Sequence, residues 1–251
     1  DEEISRQIAL AAHYGKDRVR RVFLADGDAL VLPTAKLLKI LQALRDTFPK
    51  LQRVSSYAAP KDILRKSEEE LRQLKEAGLQ LLYYGMETGD DITLKAVNKG
   101  VNGEEAVEAG RRVTASGMKL SIMVILGLAG KEGSKRHALE TAKAINIIQP
   151  TMWSALCLML YRGSELLDQF ERGEFNPLSP AECMEELYTI MENVDLPEDK
   201  HCLFRSNHIS NYIPLAGTLP KDKQRLLREI KYSAHELSKL KNWDVYNNTE
   251  Y

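Results

Sequence analysis

Three short strings in this 251-residue chain set acids and glycines where apolar runs stop. Asp26-Gly27-Asp28 closes the run 22–25, Glu87-Thr88-Gly89 closes 79–86, and the glycines Gly127 and Gly130 follow 120–126. A carboxylate in such a place accepts hydrogen bonds from an ammonium group or a ribose diol. A glycine beside it lets the backbone approach a ligand with no Cβ in the way. Asp28 and Glu87 also admit a second reading, as caps of the helices that follow them. Tyr161-Arg162-Gly163-Ser164 closes a further run, and the polar segment 205–212 gathers Arg205, Asn207 and His208. These three either contact substrate or fasten a loop through side-chain hydrogen bonds to backbone.

The elements that carry these residues alternate. Residues 22–25, 54–57, 79–86, 120–126 and 152–160 are short apolar runs closed by glycine or a polar residue, the pattern of strands buried on both faces of a parallel sheet. Amphipathic patterns predict helices over 33–48, 67–77, 103–116, 135–148, 179–194 and 221–240. Ser67 followed three residues later by Glu70 is a capping box. Strand then helix recurs about every 30 to 40 residues, the period of a βαβ unit. A further helix over 4–14 precedes the first strand, which in such a series implies one more strand upstream of Asp1. The expected fold is α/β, a partial (β/α)6 barrel over 1–200 with its first strand missing and a C-terminal helical extension over 201–251. Ligands of such folds sit at the carboxyl ends of the strands.

Lys and Arg total 35 against 36 Asp and Glu, a net charge of -1, so no global field draws the chain to nucleic acid or anionic lipid. No apolar stretch reaches the roughly 20 residues of a membrane helix, and no charged-then-apolar leader opens the chain, so a cytoplasmic protein is expected. Cys157, Cys183 and Cys202 are odd in number and widely spaced, and read as reduced thiols. His201, Cys202 and His208 lack a fourth zinc ligand, and His13, His137 and His235 read as surface or boundary residues.

The strings Phe23-Leu24-Ala25-Asp26-Gly27-Asp28-Ala29, Tyr84-Gly85-Met86-Glu87-Thr88-Gly89 and Met123-Val124-Ile125-Leu126-Gly127-Leu128-Ala129-Gly130 occur in this order. They resemble successive strand ends of radical S-adenosylmethionine (SAM) enzymes, nearest the branch of coproporphyrinogen oxidase-like proteins and tRNA methylthiotransferases. The resemblance covers about 4–166. It implies a cofactor site built from Asp26, Gly27 and Asp28 at the methionyl amino group, Glu87 at the ribose or methionine moiety, and Ile125 and Gly127 against adenine. Asp26 replaces a glycine of the family's motif, Ala29 stands where proline is usual, and Gly130 stands where a glutamate is usual, with Glu132 two residues later. The resemblance also implies a [4Fe–4S] cluster, held in that family by a CxxxCxxC loop. This chain contains no such spacing, so its residues include no cluster ligands and the cysteines are expected upstream of Asp1. The implied function is an Fe–S oxidoreductase that generates a 5′-deoxyadenosyl radical for hydrogen abstraction. Its partners would be an unidentified small-molecule or peptide substrate and an electron donor such as flavodoxin or ferredoxin, not a membrane or nucleic acid. An iron-independent (β/α) barrel lyase and a non-catalytic degenerate member are the alternatives.

Overall fold

Helices begin where a side chain can satisfy the free N–H groups of a first turn. Ser67 and Ser179 each accept from the backbone N–H three residues on, and Glu70 and Glu182 return bonds to the serine N–H groups. The computed structural model describes residues 2–240, the Asp26 side chain excepted, so the polar tail over 242–251 lies outside the described residues. Its elements are α1 (Glu2–Gly15), β1 (Arg21–Asp28), α2 (Thr34–Thr47), β2 (Arg53–Ala58), α3 (Pro60–Leu64), α4 (Glu68–Glu76), β3 (Leu79–Glu87), α5 (Asp91–Ala96) and α6 (Gly103–Ala115). They continue with β4 (Lys119–Leu126), α7 (Gly130–Ile148), β5 (Met152–Cys157), α8 (Glu165–Glu171), α9 (Pro180–Asn193), β6 (Cys202–Ser206), β7 (Leu215–Leu219) and α10 (Lys223–Leu237). The seven strands follow chain order in the sheet, the topology expected of a strand–helix series. The α/β class read from the sequence is what the structure shows.

The chain forms two units, Asp1–Gly85 with Glu108–Ser121, and Met86–Val107 with Ile122–Tyr251. In the first, β1, β2 and β3 pair in parallel. Leu37, Leu41 and Leu44 of α2 and Leu71 and Leu74 of α4 are buried, as their helical spacing requires. In the second, β5 and β6 pair in parallel and β7 turns back antiparallel on β6. Trp153 of β5 and Phe204 of β6 are buried with ring centroids 4.5 Å apart. The buried leucine, isoleucine and methionine stripe of α9 covers this unit's core, with Leu226 and Ile230 of α10.

Four expectations are corrected. Asp26-Gly27-Asp28 does not follow β1 but forms its last residues, because the pairing with β2 shifts register between Leu24 and Asp28 and the strand bulges through Gly27 at φ 99°. Residues 202–206 and 215–219, expected within a polar extension, are strands. Cys202, Phe204 and Ser206 are buried while Leu203 and Arg205 are half-buried, a period-two pattern disguised by its arginine and serine. His137, expected at the surface or a boundary, is fully buried in α7. That helix starts five residues before the expected 135, because Gly130 turns into it at φ 63°.

Candidate functional site

In the first unit, Gly27 borders open space: a Cβ built there meets nothing within 4 Å. Asp28 does act as a cap. Its Oδ1 accepts from Leu30 N at 2.8 Å, opening a one-turn 3-10 helix over Ala29–Val31, and its Oδ2 accepts from Ala59 N at 2.6 Å. A carboxylate offers about four lone-pair positions, and these two bonds with the side-chain bond to Asp62 leave part of that capacity over. Burial pushes the Asp28 carboxyl above its ordinary range; the two N–H bonds oppose this and the neighbouring Asp62 adds to it. Lys66, which sequence reasoning missed, is buried nearby with Nζ on the Leu32 carbonyl at 2.9 Å, and burial lowers its pKa. A cavity of about 500 Å³ runs along β1 between α1 and α2, lined by Phe23, Ala25, Asp28, Leu32 and Ile8 among others. Phe23 also meets Tyr57 and Tyr83 with centroids 4.8 and 5.7 Å apart. The Asp26 side chain lies outside the described residues.

In the second unit, Glu87 ends β3 at φ 65°, a left-handed conformation that non-glycine residues seldom adopt outside functional or tightly determined sites. It caps no helix. Its Oε1 accepts from Lys99 Nζ at 2.9 Å, with both side chains about a fifth exposed (22% and 23%). The cap of α5 is Asp90, which accepts from Thr93 N at 3.1 Å and Thr93 Oγ1 at 2.5 Å and pairs with Arg136 Nε at 2.8 Å. Ile125 is half-buried near the end of β4. Gly127 follows at φ 80°, its N–H donated to Glu186 Oε1 at 2.7 Å and its carbonyl taken by Gly130 N at 3.0 Å. Its backbone polar groups are therefore spent inside the protein. Glu132 stands on α7 and accepts from Asn176 Nδ2 at 2.6 Å.

The substrate candidates separate. Arg205 lies in β6 with Nη1 on the Phe204 carbonyl at 2.8 Å. Asn207 and His208 are exposed in the β6–β7 loop, where His208 Nδ1 lies 2.9 Å from Ser210 Oγ. Asn211 fastens that loop, donating to the Ala155 carbonyl at 3.0 Å and to Ser206 Oγ at 2.9 Å. Loop fastening is thus present here, through Asn211.

The groups least legible in the sequence form one buried set. His137 Nδ1 lies 2.7 Å from Thr88 Oγ1, its Nε2 lies 3.5 Å from Glu186 Oε1, and Glu186 Oε2 meets Ser134 Oγ at 2.5 Å. Both side chains of the His–Glu pair are 0% exposed. Burial pushes Glu186 up to about 7, against its bonds to Ser134 and Gly127, and burial pushes His137 down to about 4. Between about 4 and about 7 the folded pair is therefore neutral, with its proton on Glu186. An acid whose folded pKa is raised loses stability as pH rises from its unfolded to its folded pKa. Glu186→Gln keeps both hydrogen bonds without a titratable group. It is expected to match the wild type near pH 5 and to exceed it above pH 7 by roughly 2–3 kcal/mol, read by urea unfolding at the two pH values. A constant difference across that range would refute the neutral pair.

Among the described residues no group of three or more His, Cys, Asp or Glu could hold a metal ion. The three thiols do not fit an iron–sulfur cluster. Cys157 ends β5, Cys183 lies in α9 and Cys202 starts β6; all are buried. Burial pushes Cys202 up to about 12, and the bond to Cys157 followed by burial raises Cys183 well above its ordinary value, whereas iron binds thiolates.

The sequence profile of the Radical SAM superfamily matches residues 1–141. The chain belongs to the radical SAM superfamily. The chain is 26% identical over 172 residues to the tRNA uridine(34) acetyltransferase of Methanocaldococcus infernus, covering 68% of this chain and 31% of that protein. It is 22% identical over 182 residues to the heme chaperone HemW of Bacillus subtilis, covering 72% and 47%. The chain thus spans less than half the length of either relative. Among solved structures, the archaeal Elp3 of M. infernus with an N-terminal deletion matches with a TM-score of 0.60 at 17% identity, covering 93% of this chain and 57% of that one. Coproporphyrinogen III oxidase (HemN) from Escherichia coli, described as a radical SAM enzyme, matches with a TM-score of 0.56 at 17% identity, covering 76% and 43%. These likenesses show the radical SAM fold, a partial (β/α) barrel. No helix among the described residues is long and apolar enough to cross a membrane.

Proposed function

We propose that this chain binds S-adenosylmethionine at its strand ends as part of a radical SAM oxidoreductase acting on a small-molecule or peptide substrate. The observation that carries the reading is the family match over 1–141 together with an acid at the end of each of two of its strands, Asp28 and Glu87, the latter in a left-handed backbone conformation. When bound with a reduced [4Fe–4S] cluster, the cofactor supplies a 5′-deoxyadenosyl radical that abstracts hydrogen. Asp28, with lone pairs left over from its two backbone bonds, would accept from the methionyl ammonium beside Asp26 and the open Gly27. Glu87 Oε2 would accept from the ribose diol while Lys99 fixes the other oxygen. Ile125, with the turn at Gly127, would meet adenine by van der Waals contact. Arg205, Asn207 and His208 would contact substrate, and a flavodoxin- or ferredoxin-like donor would supply the electron in the cytoplasm. The near-zero net charge argues against a nucleic-acid substrate.

The test is anaerobic: the native protein carrying this chain is reconstituted with iron and sulfide and dialysed against radiolabelled SAM. One equivalent should bind, dithionite should release 5′-deoxyadenosine, and Glu87→Ala should weaken binding about tenfold or more. Absence of both SAM binding and 5′-deoxyadenosine overturns the proposal. Product formation indifferent to oxygen and iron chelators would select the lyase alternative.

A further inference from the structure

The loop after β3 and the turn after β4 are held by groups with no part in the ligand contacts above. Each residue of Thr88-Gly89-Asp90 meets α7: Thr88 Oγ1 at His137, Gly89 N on Thr141 Oγ1 at 3.0 Å, and Asp90 on Arg136. At the start of the same helix, Ser134 meets Glu186, a residue of α9 whose other oxygen accepts the Gly127 N–H. Glu186 Oε1 also lies 3.5 Å from His137. One carboxyl group thus ties the β4 turn to α7, while His137 packs beside it and meets the residue after Glu87 through its other ring nitrogen.

Burying a carboxyl group is costly, and an apolar residue of similar volume packs at lower cost unless the polar partners are needed where they are. The two hydrogen-bond partners of Glu186 are fixed features: the N–H of the left-handed glycine after β4 and the Ser134 hydroxyl in the first turns of α7. We propose that Glu186 is a positioning residue for the adenosylmethionine site, setting the Gly127 turn and, through Ser134, its register to α7, the helix that holds the loop after Glu87. The proposal rests on the SAM-binding reading above. A protonated carboxyl and a primary amide offer the same pair of bonds, one accepted from Gly127 and one shared with Ser134.

The experiment measures SAM dissociation constants on the anaerobically reconstituted native protein for wild type, Glu186→Gln, Glu186→Ala, Ser134→Ala and Ile230→Ala, each checked for folding by circular dichroism. Ile230 lies buried in α10 and serves as a destabilised control. Glu186→Gln should bind within about twofold of wild type, Glu186→Ala about tenfold more weakly, and Ser134→Ala about threefold more weakly. Ile230→Ala should keep wild-type affinity despite its lower melting temperature. If Glu186→Ala does not fold, Ser134→Ala decides. Wild-type affinity in folded Glu186→Ala, or in Ser134→Ala where Glu186→Ala is unfolded, overturns the positioning role while leaving the SAM site intact. A wild type that binds no SAM overturns both.

Discussion

Gly89→Ala is expected to lower the melting temperature by about 10 °C, a loss of about 3 kcal/mol or more. A Cβ at residue 89 would fall against the carbonyl oxygen and carbon of Glu140 and the Thr141 Cα, all of them backbone of α7. Backbone cannot swing aside as a side-chain tip can, so the loop would have to lift from the helix. Lifting it removes the Gly89 N–H from Thr141 and draws on the bonds of Thr88 and Asp90 to the same helix. The adjoining Gly103 also sits tight, since a Cβ there would lie 2.9 Å from the Gly89 carbonyl. Gly163→Ala is the comparison. Its φ is 82° and nothing lies within 4 Å of its built Cβ, so only the conformational penalty of about 1–2 kcal/mol applies. Thermal unfolding of the two variants separates steric from backbone effects. Equal losses would show that α7 does not grip the loop at Gly89.

Asp90→Ala should cost roughly 2–3 kcal/mol and add a pH signature. The side chain caps α5 by way of the Thr93 N–H, accepts the Thr93 hydroxyl and pairs with Arg136, while itself nearly inaccessible. Burial works to raise its pKa, but the bonds to Arg136 and Thr93 outweigh it and the net shift is downward. A carboxyl whose folded pKa is depressed contributes stability above its unfolded value of 3.8, lost as pH falls through the lower folded value. Denaturant unfolding of wild type and Asp90→Ala should therefore differ most above about pH 4 and converge below it. Arg136 is 42% exposed and regains water when its partner is removed, which holds the loss below that of a wholly buried ion pair. A difference independent of pH would assign the effect to packing alone.

What could be read along the chain was what depends on near neighbours. Parallel strands buried on both faces leave apolar runs, and the runs at 22–25, 79–86 and 120–126 became β1, β3 and β4. Ser67 with Glu70 announced α4 because a capping box closes within four residues. The acids and glycines at those strand ends sufficed for the family, whose profile spans the same part of the chain. Asp28 was correctly legible as a cap, since Leu30 stands two residues away, but its second bond to Ala59 was not.

Tertiary structure alone decided the buried polar set. His137 and Glu186 stand 49 residues apart in number, each on a helix whose neighbours in sequence include charged and exposed residues, and nothing local distinguishes them from a solvated face. They become partners because α7 and α9 pack in the same unit, and their exclusion from water sets where the pair's proton resides. Burial is a property of the packed unit and not of the residue, which is why it also separated Glu87, held by Lys99, from Asp90, held under α7. The β6 strand was hidden for a related reason: five residues with two polar members carry too little periodicity, and only pairing with β5 and β7 makes them a strand. Sequence settled which chemistry's family this chain belongs to, because that is written in residue types at strand ends. Packing settled which groups hold those ends in place, because hydrogen bonds between distant segments exist only once the helices that bear them are docked.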